Sequence, residues 1–353
     1  MEPKTREAID IIIRCRTEKG FVASADRYNE EYWTRDFYYS LNALLSMGFI
    51  EESERHLMNI WSRQTRSGAL PRLIRYNYIR WGVIKLFNMI KSHRFLSTLR
   101  VGKDVETRLH QWSVDSTLAA IIATYIVAER SKNDNLLHLL KPKMNLAMSY
   151  LKKRIKNGFI RGGDWRDLIP SLGDKFLLSN NVLLHRVYRL SGNLRAADRL
   201  RKQIGSKFWN GNYYIDFLGG QEFDTLGTSL MVLEELVPKS RYPKLIRKLI
   251  SASTKYGIKN SLEINRVTWS KAEGYELTNQ RYSIWPFVAY FAVSALKKMG
   301  AEKDADVELK KLRALRGFYE WYNPDTGAPM GSKDQLWSAA GYYEFEKTRV
   351  KRL

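Results

Sequence analysis

Residues 118–127 read LAAIIATYIV, and residues 286–296 read PFVAYFAVSAL. Each stretch is apolar nearly all the way round at helical spacing. Such a helix is buried on every side, whereas an amphipathic helix shows one face to water. Residues 239–254 and 302–316 are of the second kind, with charged side chains filling one face. Outward from these stretches the same alternation runs along the chain. Buried helices are predicted near 32–47, 112–128, 176–192, 224–237, 283–298 and 334–346. Amphipathic helices are predicted near 3–17, 50–64, 135–156, 195–208, 239–254 and 302–316. Six inner helices alternating with six outer ones give the pattern of an all-α (α/α)6 toroid, in which helical hairpins close into a double ring. Short extended pieces are expected near 158–161 and 212–217, where Gly and Asn turns flank aromatic or β-branched residues. One domain over residues 1–353 accounts for the whole pattern.

The composition is globular, with 44% hydrophobic residues, enough to fill a large core. The ten Trp and twenty Tyr can fill that core or make flat platforms for sugar rings, and composition does not separate these uses. A single cysteine, Cys15, excludes a disulfide framework and a thiolate metal site. The five histidines (His56, His93, His110, His138 and His185) are scattered, with no H-E-x-x-H spacing. No phosphate-binding glycine loop and no G-x-S-x-G elbow occurs. Nucleotide-dependent and serine-hydrolase chemistry are therefore set aside. The opening MEPKTREAIDIIIRC has early acids and no long apolar core, so it does not read as a signal peptide. No run of 18 apolar residues could span a membrane. A cytoplasmic location is the resulting expectation.

The formal net charge is +22. Such an excess suits an anionic partner or simply a well-solvated surface. The basic residues concentrate in an insertion over 66–105. From Arg55 to Lys103 there are eleven Lys and Arg and no Asp or Glu. With Leu86, Phe87, Met89 and Ile90 nearby, the segment reads as a surface for a membrane, an acidic partner or a second subunit. The alternative is an insertion that packs over the barrel mouth. No nucleic-acid-binding motif is visible, so no specific nucleic-acid binding is expected.

Several acids share one context, beside a Trp or a Gly at the start of an inner helix. They are Asp36 in YWTRDFYY, Asp115 in HQWSVDSTL, Asp164 and Asp167 in GGDWRDLIP, Asp224 in GGQEFDTLG, and Glu273 with Glu276 in KAEGYELTN. In an alternating toroid all inner helices run the same way, so these acids converge at one mouth. An acid there can simply cap its helix. Caps do not explain the accompanying Trp33, Trp112, Trp165 and Trp285, or the space opened by Gly162, Gly163 and Gly274. Acids with aromatic platforms make a carbohydrate pocket. Hydrolysing a glycosidic bond needs two carboxyl groups, and inversion needs them far enough apart to admit a water. Asp167, beside Asp164 and Trp165, is a credible proton donor.

These motifs resemble those of the (α/α)6 glycosidases, a group with the neutral and alkaline invertases, the amylo-α-1,6-glucosidase domain of glycogen debranching enzymes and, more distantly, glucoamylases and trehalases. WTRDFYYSLNALL resembles their Arg-Asp motif, and SGALPRLI followed by the Asp115 segment resembles the next sugar-binding stretch. GGDWRD, followed by FLLSNNVLLHRVY, resembles the segment of the general acid. AEGYELTNQRYSIWPFVAYFAVSALKKMG resembles that of the general base, and QLWSAAGYYEFE the closing helix. The resemblance implies an inverting exo-glycosidase acting on an α-glucosidic linkage, without cofactor or metal. It implies Asp167 as general acid and Glu273 as general base. It assigns Arg35, Asp36, Trp112, Asp115 and Trp285 to the terminal sugar, with Asp164, Trp165, Asp224 and Glu276 completing the binding set. Asp164 remains an alternative acid and Glu276 an alternative base. Two other readings stay open. One is a toroid acting as a lyase or epimerase on an acidic sugar, and the other a non-catalytic basic protein that grips an anionic polymer.

Overall fold

A computed structural model describes residues 2–75, 114–166, 169–261 and 282–350. Its described residues form twelve α-helices. The inner ones are α2 (Thr34–Ser46), α4 (Asp115–Ser131), α6 (Leu178–Leu190), α8 (Thr225–Leu233), α10 (Pro286–Lys298) and α12 (Leu336–Val350). The outer ones are α1 (Pro3–Arg14), α3 (Ile50–Ser62), α5 (Asp134–Lys152), α7 (Leu194–Lys207), α9 (Tyr242–Ser251) and α11 (Glu302–Ala314). Each inner helix packs on the next, from α2 through α12, and α12 packs back on α2. The inner ring is therefore closed, and the chain has the (α/α)6 toroid fold. Outer helices lie against it, α1 on α12, α5 on α4, α7 on α6 and α11 on α10.

Burial follows the two sequence patterns. Twelve of the seventeen residues of α4 are buried, as are eight of the nine in α8. By contrast, α7 buries Ala197, Leu200 and Ile204, one stripe at helical spacing. Four two-stranded antiparallel ribbons join the helices: β1 (Arg16–Thr17) with β2 (Gly20–Phe21), β3 (Glu31–Trp33) with β4 (Leu73–Arg75), β5 (Ile155–Lys156) with β6 (Phe159–Ile160), and β7 (Trp321–Tyr322) with β8 (Pro329–Met330).

Some boundaries differ from expectation. The helix predicted to run to 156 stops at Lys152. Asn157 and Gly158, both at positive φ, turn the chain into the β5–β6 hairpin, the commonest use of an Asn-Gly pair. Residues 212–217 form isolated bridges, Trp209 with Tyr214 and Ile215 with Phe223, rather than a strand. Part of the basic segment lies within the described residues. Arg72 and Arg75 are 6% and 8% exposed. Arg75 ends β4, which pairs with β3, and Arg72 immediately precedes that strand. Residues 76–105 of that segment lie outside the described residues.

Candidate active site

The inner helices start at one mouth, and side-chain contacts link their starts. Arg35, in the first turn of α2, meets Asp115, the first residue of α4, at 3.6 Å. Asp164, on the loop before α6, accepts from Ser179 Oγ of α6 at 2.9 Å. Trp165 on the same loop packs edge-on against Trp285, at the start of α10, with ring centroids 5.1 Å apart. Gln335, just before α12, donates to Asp36 of α2 at 2.9 Å. Acids and aromatics from several inner-helix starts thus gather in one place.

Arg35 organises the first half of the mouth. Beyond Asp115, its Nη1 donates to the Asp164 carbonyl at 3.1 Å, and its guanidinium lies 5.5 Å from the Trp33 ring centroid. Arg72 lies over the same ring at 4.9 Å. Trp33 Nε1 donates to Glu31, whose other oxygen accepts from Arg75 Nε at 3.0 Å and Nη2 at 2.7 Å. Arg35 and Asp36, adjacent in sequence, therefore have separate partners. Burial pushes the Asp36 carboxyl well above the usual carboxylate range, against the nearby Arg35 charge.

The GGDWR stretch, residues 162–166, is held by several partners. Arg166 turns back so that Nε and Nη2 donate to the two oxygens of Asp164 at 3.0 and 2.7 Å. The same guanidinium donates to Asp216, between α7 and α8, through Nη1 at 2.7 Å and Nη2 at 2.8 Å. Burial opposes ionisation of Asp164, but Arg166 and Ser179 outweigh it and hold its carboxyl below the ordinary value. A carboxylate held ionised cannot deliver a proton near neutral pH, so Asp164 is a poor general acid. Asp224 caps α8, its oxygens accepting from Leu226 N at 3.2 Å and Gly227 N at 2.8 Å. Burial, with Asp216 and Asp164 nearby, raises Asp224 to about 7 despite Arg166. Gly227 is required there, since a Cβ would come within 2.5 Å of Asp224 Oδ2.

Behind these charges stands an aromatic cluster. Phe287 stacks on Trp337 at 4.2 Å and meets Trp165 at 5.2 Å. Trp285 donates from Nε1 to Ser283 Oγ at 3.0 Å. Trp165 Nε1 and Trp337 Nε1 are buried without a hydrogen-bond partner among the described residues. A buried N–H left unmatched costs stability unless something accepts from it.

Of the residues singled out in the sequence, Arg35, Asp36, Asp115, Asp164, Trp165 and Trp285 come together at this mouth. Trp165 and Trp285 are each 3% exposed, so neither offers an open ring face. Asp224 belongs to the neighbouring cap. Trp112, Asp167, Glu273 and Glu276 lie outside the described residues. Sequence reasoning missed Arg166 as a bridge and Asp216 and Glu31 altogether, and it read Arg72 and Arg75 within the basic segment. The arginine of GGDWRD, between two acids, signalled a local pair. Asp216, in YYIDF, carries no such signal. Among the described residues no group of three His, Cys, Asp or Glu could hold a metal ion.

Residues 194–338 match the family model of the mannosylglycerate hydrolase MGH1-like glycoside hydrolase domain. No curated protein matches the chain in sequence. The fold is similar to that of the GH63 mannosylglycerate hydrolase from Thermus thermophilus in complex with Tris and D-glycerate. The TM-score is 0.68 at 12% identity, over 98% of this chain and 100% of that one. The same hydrolase in complex with glucose gives 0.67 at 12% identity, again over 98% and 100%. A further solved glycosidase, in its wild-type form, gives 0.66 at 13% identity, over 98% of this chain and 95% of that one. Part of the chain thus matches a glycoside hydrolase domain, and its fold is the toroid of these solved glycosidases.

Proposed function

We propose that the chain is an inverting exo-glycosidase that removes one α-linked glucose or mannose from a small carboxylate-bearing aglycone of the glycerate type. The observation that carries this reading is the match of residues 194–338 to a mannosylglycerate hydrolase-like domain. The aglycone comes from the same match and from the neighbour named with D-glycerate. A debranching or sucrose-cleaving activity, suggested by the motif resemblance, has no comparable support. In this reading Asp167 protonates the leaving oxygen and Glu273 activates water. By sequence, Asp167 precedes α6 and Glu273 precedes α10, with α8 between them in the ring. Acids entering from non-adjacent helices suit the separation of roughly 6.5–9.5 Å that inversion needs. Arg35, Asp36 and Asp115 hold hydroxyls of the terminal sugar. The buried aromatic cluster of Trp165, Trp285 and Trp337 backs this pocket.

The test is release of sugar from mannosylglycerate, glucosylglycerate, sucrose, trehalose, isomaltose and glycogen limit dextrin, with the product anomer followed by NMR. Wild type runs beside Asp167→Asn and Glu273→Gln. Hydrolysis of a glycerate glycoside to the inverted anomer, lost in both variants, is the expected result. Retention of anomeric configuration, or full activity in either variant, overturns the assignment.

A further inference from the structure

We propose that Asp216, acting through Arg166, is a positioning residue for the general acid; the inference rests on the reading of Asp167 as that acid. Asp216 lies between α7 and α8, outside every motif read from the sequence, and is 1% exposed. Its two oxygens take both terminal nitrogens of Arg166, at 2.7 and 2.8 Å. Arg166 immediately precedes Asp167 in the chain. The adjoining edge of the guanidinium, Nε and Nη2, is held by Asp164. A planar fork gripped by two carboxylates cannot rotate without losing several charge-assisted hydrogen bonds at once.

The backbone around the clamp is equally fixed. Asn180 Nδ2 donates to the carbonyls of Gly162 and Gly163 at 2.9 and 3.0 Å. Arg35 takes the Asp164 carbonyl. Past the acid, Ile169 N donates to the Arg166 carbonyl at 3.0 Å. The residues before and after Asp167 and Leu168 are therefore both anchored. Asp216 is itself tied down, since Leu178 N donates to its carbonyl at 2.7 Å and its own N–H donates to Glu222 O at 2.8 Å. The clamp links the acid loop to the start of α6.

Stability alone does not explain the arrangement. Buried ion pairs are weak stabilisers because desolvation offsets their attraction. Here three buried carboxylates surround one guanidinium, and Asp224 is left raised to about 7. Proton delivery, in contrast, depends steeply on placement, and about 1 Å of misplacement can cost on the order of 100-fold in rate.

The experiment compares leaving groups. Asp216→Asn preserves shape and weakens the grip on Arg166. Asp224, relieved of a negative neighbour, then ionises more readily, which supports folding of the variant. Asp216→Glu is the conservative control, and Arg166→Lys keeps the charge but loses the fork. Each is assayed on glucosylglycerate or mannosylglycerate, whose alkoxide leaves with a proton, and on the 2,4-dinitrophenyl α-glycoside of the same sugar, which leaves without one. We expect kcat of Asp216→Asn and Arg166→Lys to fall about 100-fold on the glycerate glycoside, with KM nearly unchanged and less than about threefold loss on the dinitrophenyl substrate. Asp216→Glu should recover part of the loss. Equal losses on both substrates overturn the proposal. Asp167→Asn, run alongside, separates the failures. If it shows the leaving-group selectivity and Asp216→Asn does not, the clamp is wrong and the acid stands. If it keeps full activity, both fall. Amide hydrogen exchange reads the clamp without any substrate. Exchange over residues 162–166 should rise about tenfold or more in Asp216→Asn, and unchanged exchange overturns the proposal.

Discussion

Gln335 Nε2 donates to Asp36 Oδ1 at 2.9 Å across the seam where α12 meets α2 and the ring closes. The two residues are 299 apart in sequence, so this bond joins the last inner helix to the first. Gln335 has a second polar atom, Oε1, that is buried without a partner among the described residues. The seam is thus both a structural closure and part of the mouth.

Asp36 is held with a raised carboxyl pKa because burial disfavours its charge. The folded state therefore binds a proton that the unfolded chain has released. This contribution is greatest at low pH and is lost as pH rises towards the folded-state value. Asp36→Asn removes the charge and keeps an oxygen for Gln335. Its melting temperature at pH 7 is expected to match or exceed that of wild type, while kcat/KM falls at least about tenfold. A large fall in melting temperature with activity intact would show that Asp36 serves the fold alone.

Asp224 makes a related prediction over a defined window. Its carboxyl is raised from the ordinary 3.8 to about 7. Its contribution to stability is complete below about 4, declines as pH rises, and is gone above about 7. Asp224→Asn keeps an oxygen to cap α8 and deletes that decline. Thermal melts from pH 4.5 to 8 should show the stability of this variant rising relative to wild type as pH increases. Parallel profiles would mean that the carboxyl does not titrate in this range. His56, lowered to about 3 by burial, acts with the opposite sign and is common to both proteins, so the difference isolates Asp224.

The ring was legible because it is written locally. LAAIIATYIV needs no partner to announce burial on all sides, and Asn157-Gly158 marks its hairpin within two residues. The acids at helix starts were legible for the same reason. What escaped was contact between distant segments. Arg75 reads as part of a basic surface run until Glu31, 44 residues earlier, is paired with it. Asp216 sits 50 residues from Arg166, in a stretch with no motif. The hydrogen bond of Asp36 to Gln335, rather than an ion pair with its neighbour Arg35, likewise depends on ring closure.

Arg35 is the residue on which the first half of the mouth depends. It touches Asp115, the Asp164 carbonyl and the Trp33 ring. Arg35→Met keeps the stem and removes the charge. Asp115, 2% exposed, then loses a buried cation. Removing one partner of a buried ion pair typically costs about 3–5 kcal/mol. Denaturant unfolding should show a loss of that order, and Arg35→Met with Asp115→Asn should lose less than the sum of the two single variants. Additive losses would mean that the two residues act independently.

Trp337 and Trp165 separate packing from recognition. Both indoles are buried, and both N–H groups lack an acceptor among the described residues. Trp337→Phe keeps the stacking on Phe287 and deletes the unmatched donor, together with part of the ring volume. Losing an unsatisfied donor offsets the small cavity, so the variant should stay within about 1 kcal/mol of wild-type stability. If the N–H meets a sugar oxygen, the same change weakens glucose or mannose binding by about tenfold, in the range for one buried hydrogen bond. Titration calorimetry with either monosaccharide reads this directly. A stable variant with unchanged sugar affinity would leave Trp337 as packing. In that case Trp165→Phe, on the other side of Phe287, is the remaining indole through which the cluster could hold a hydroxyl.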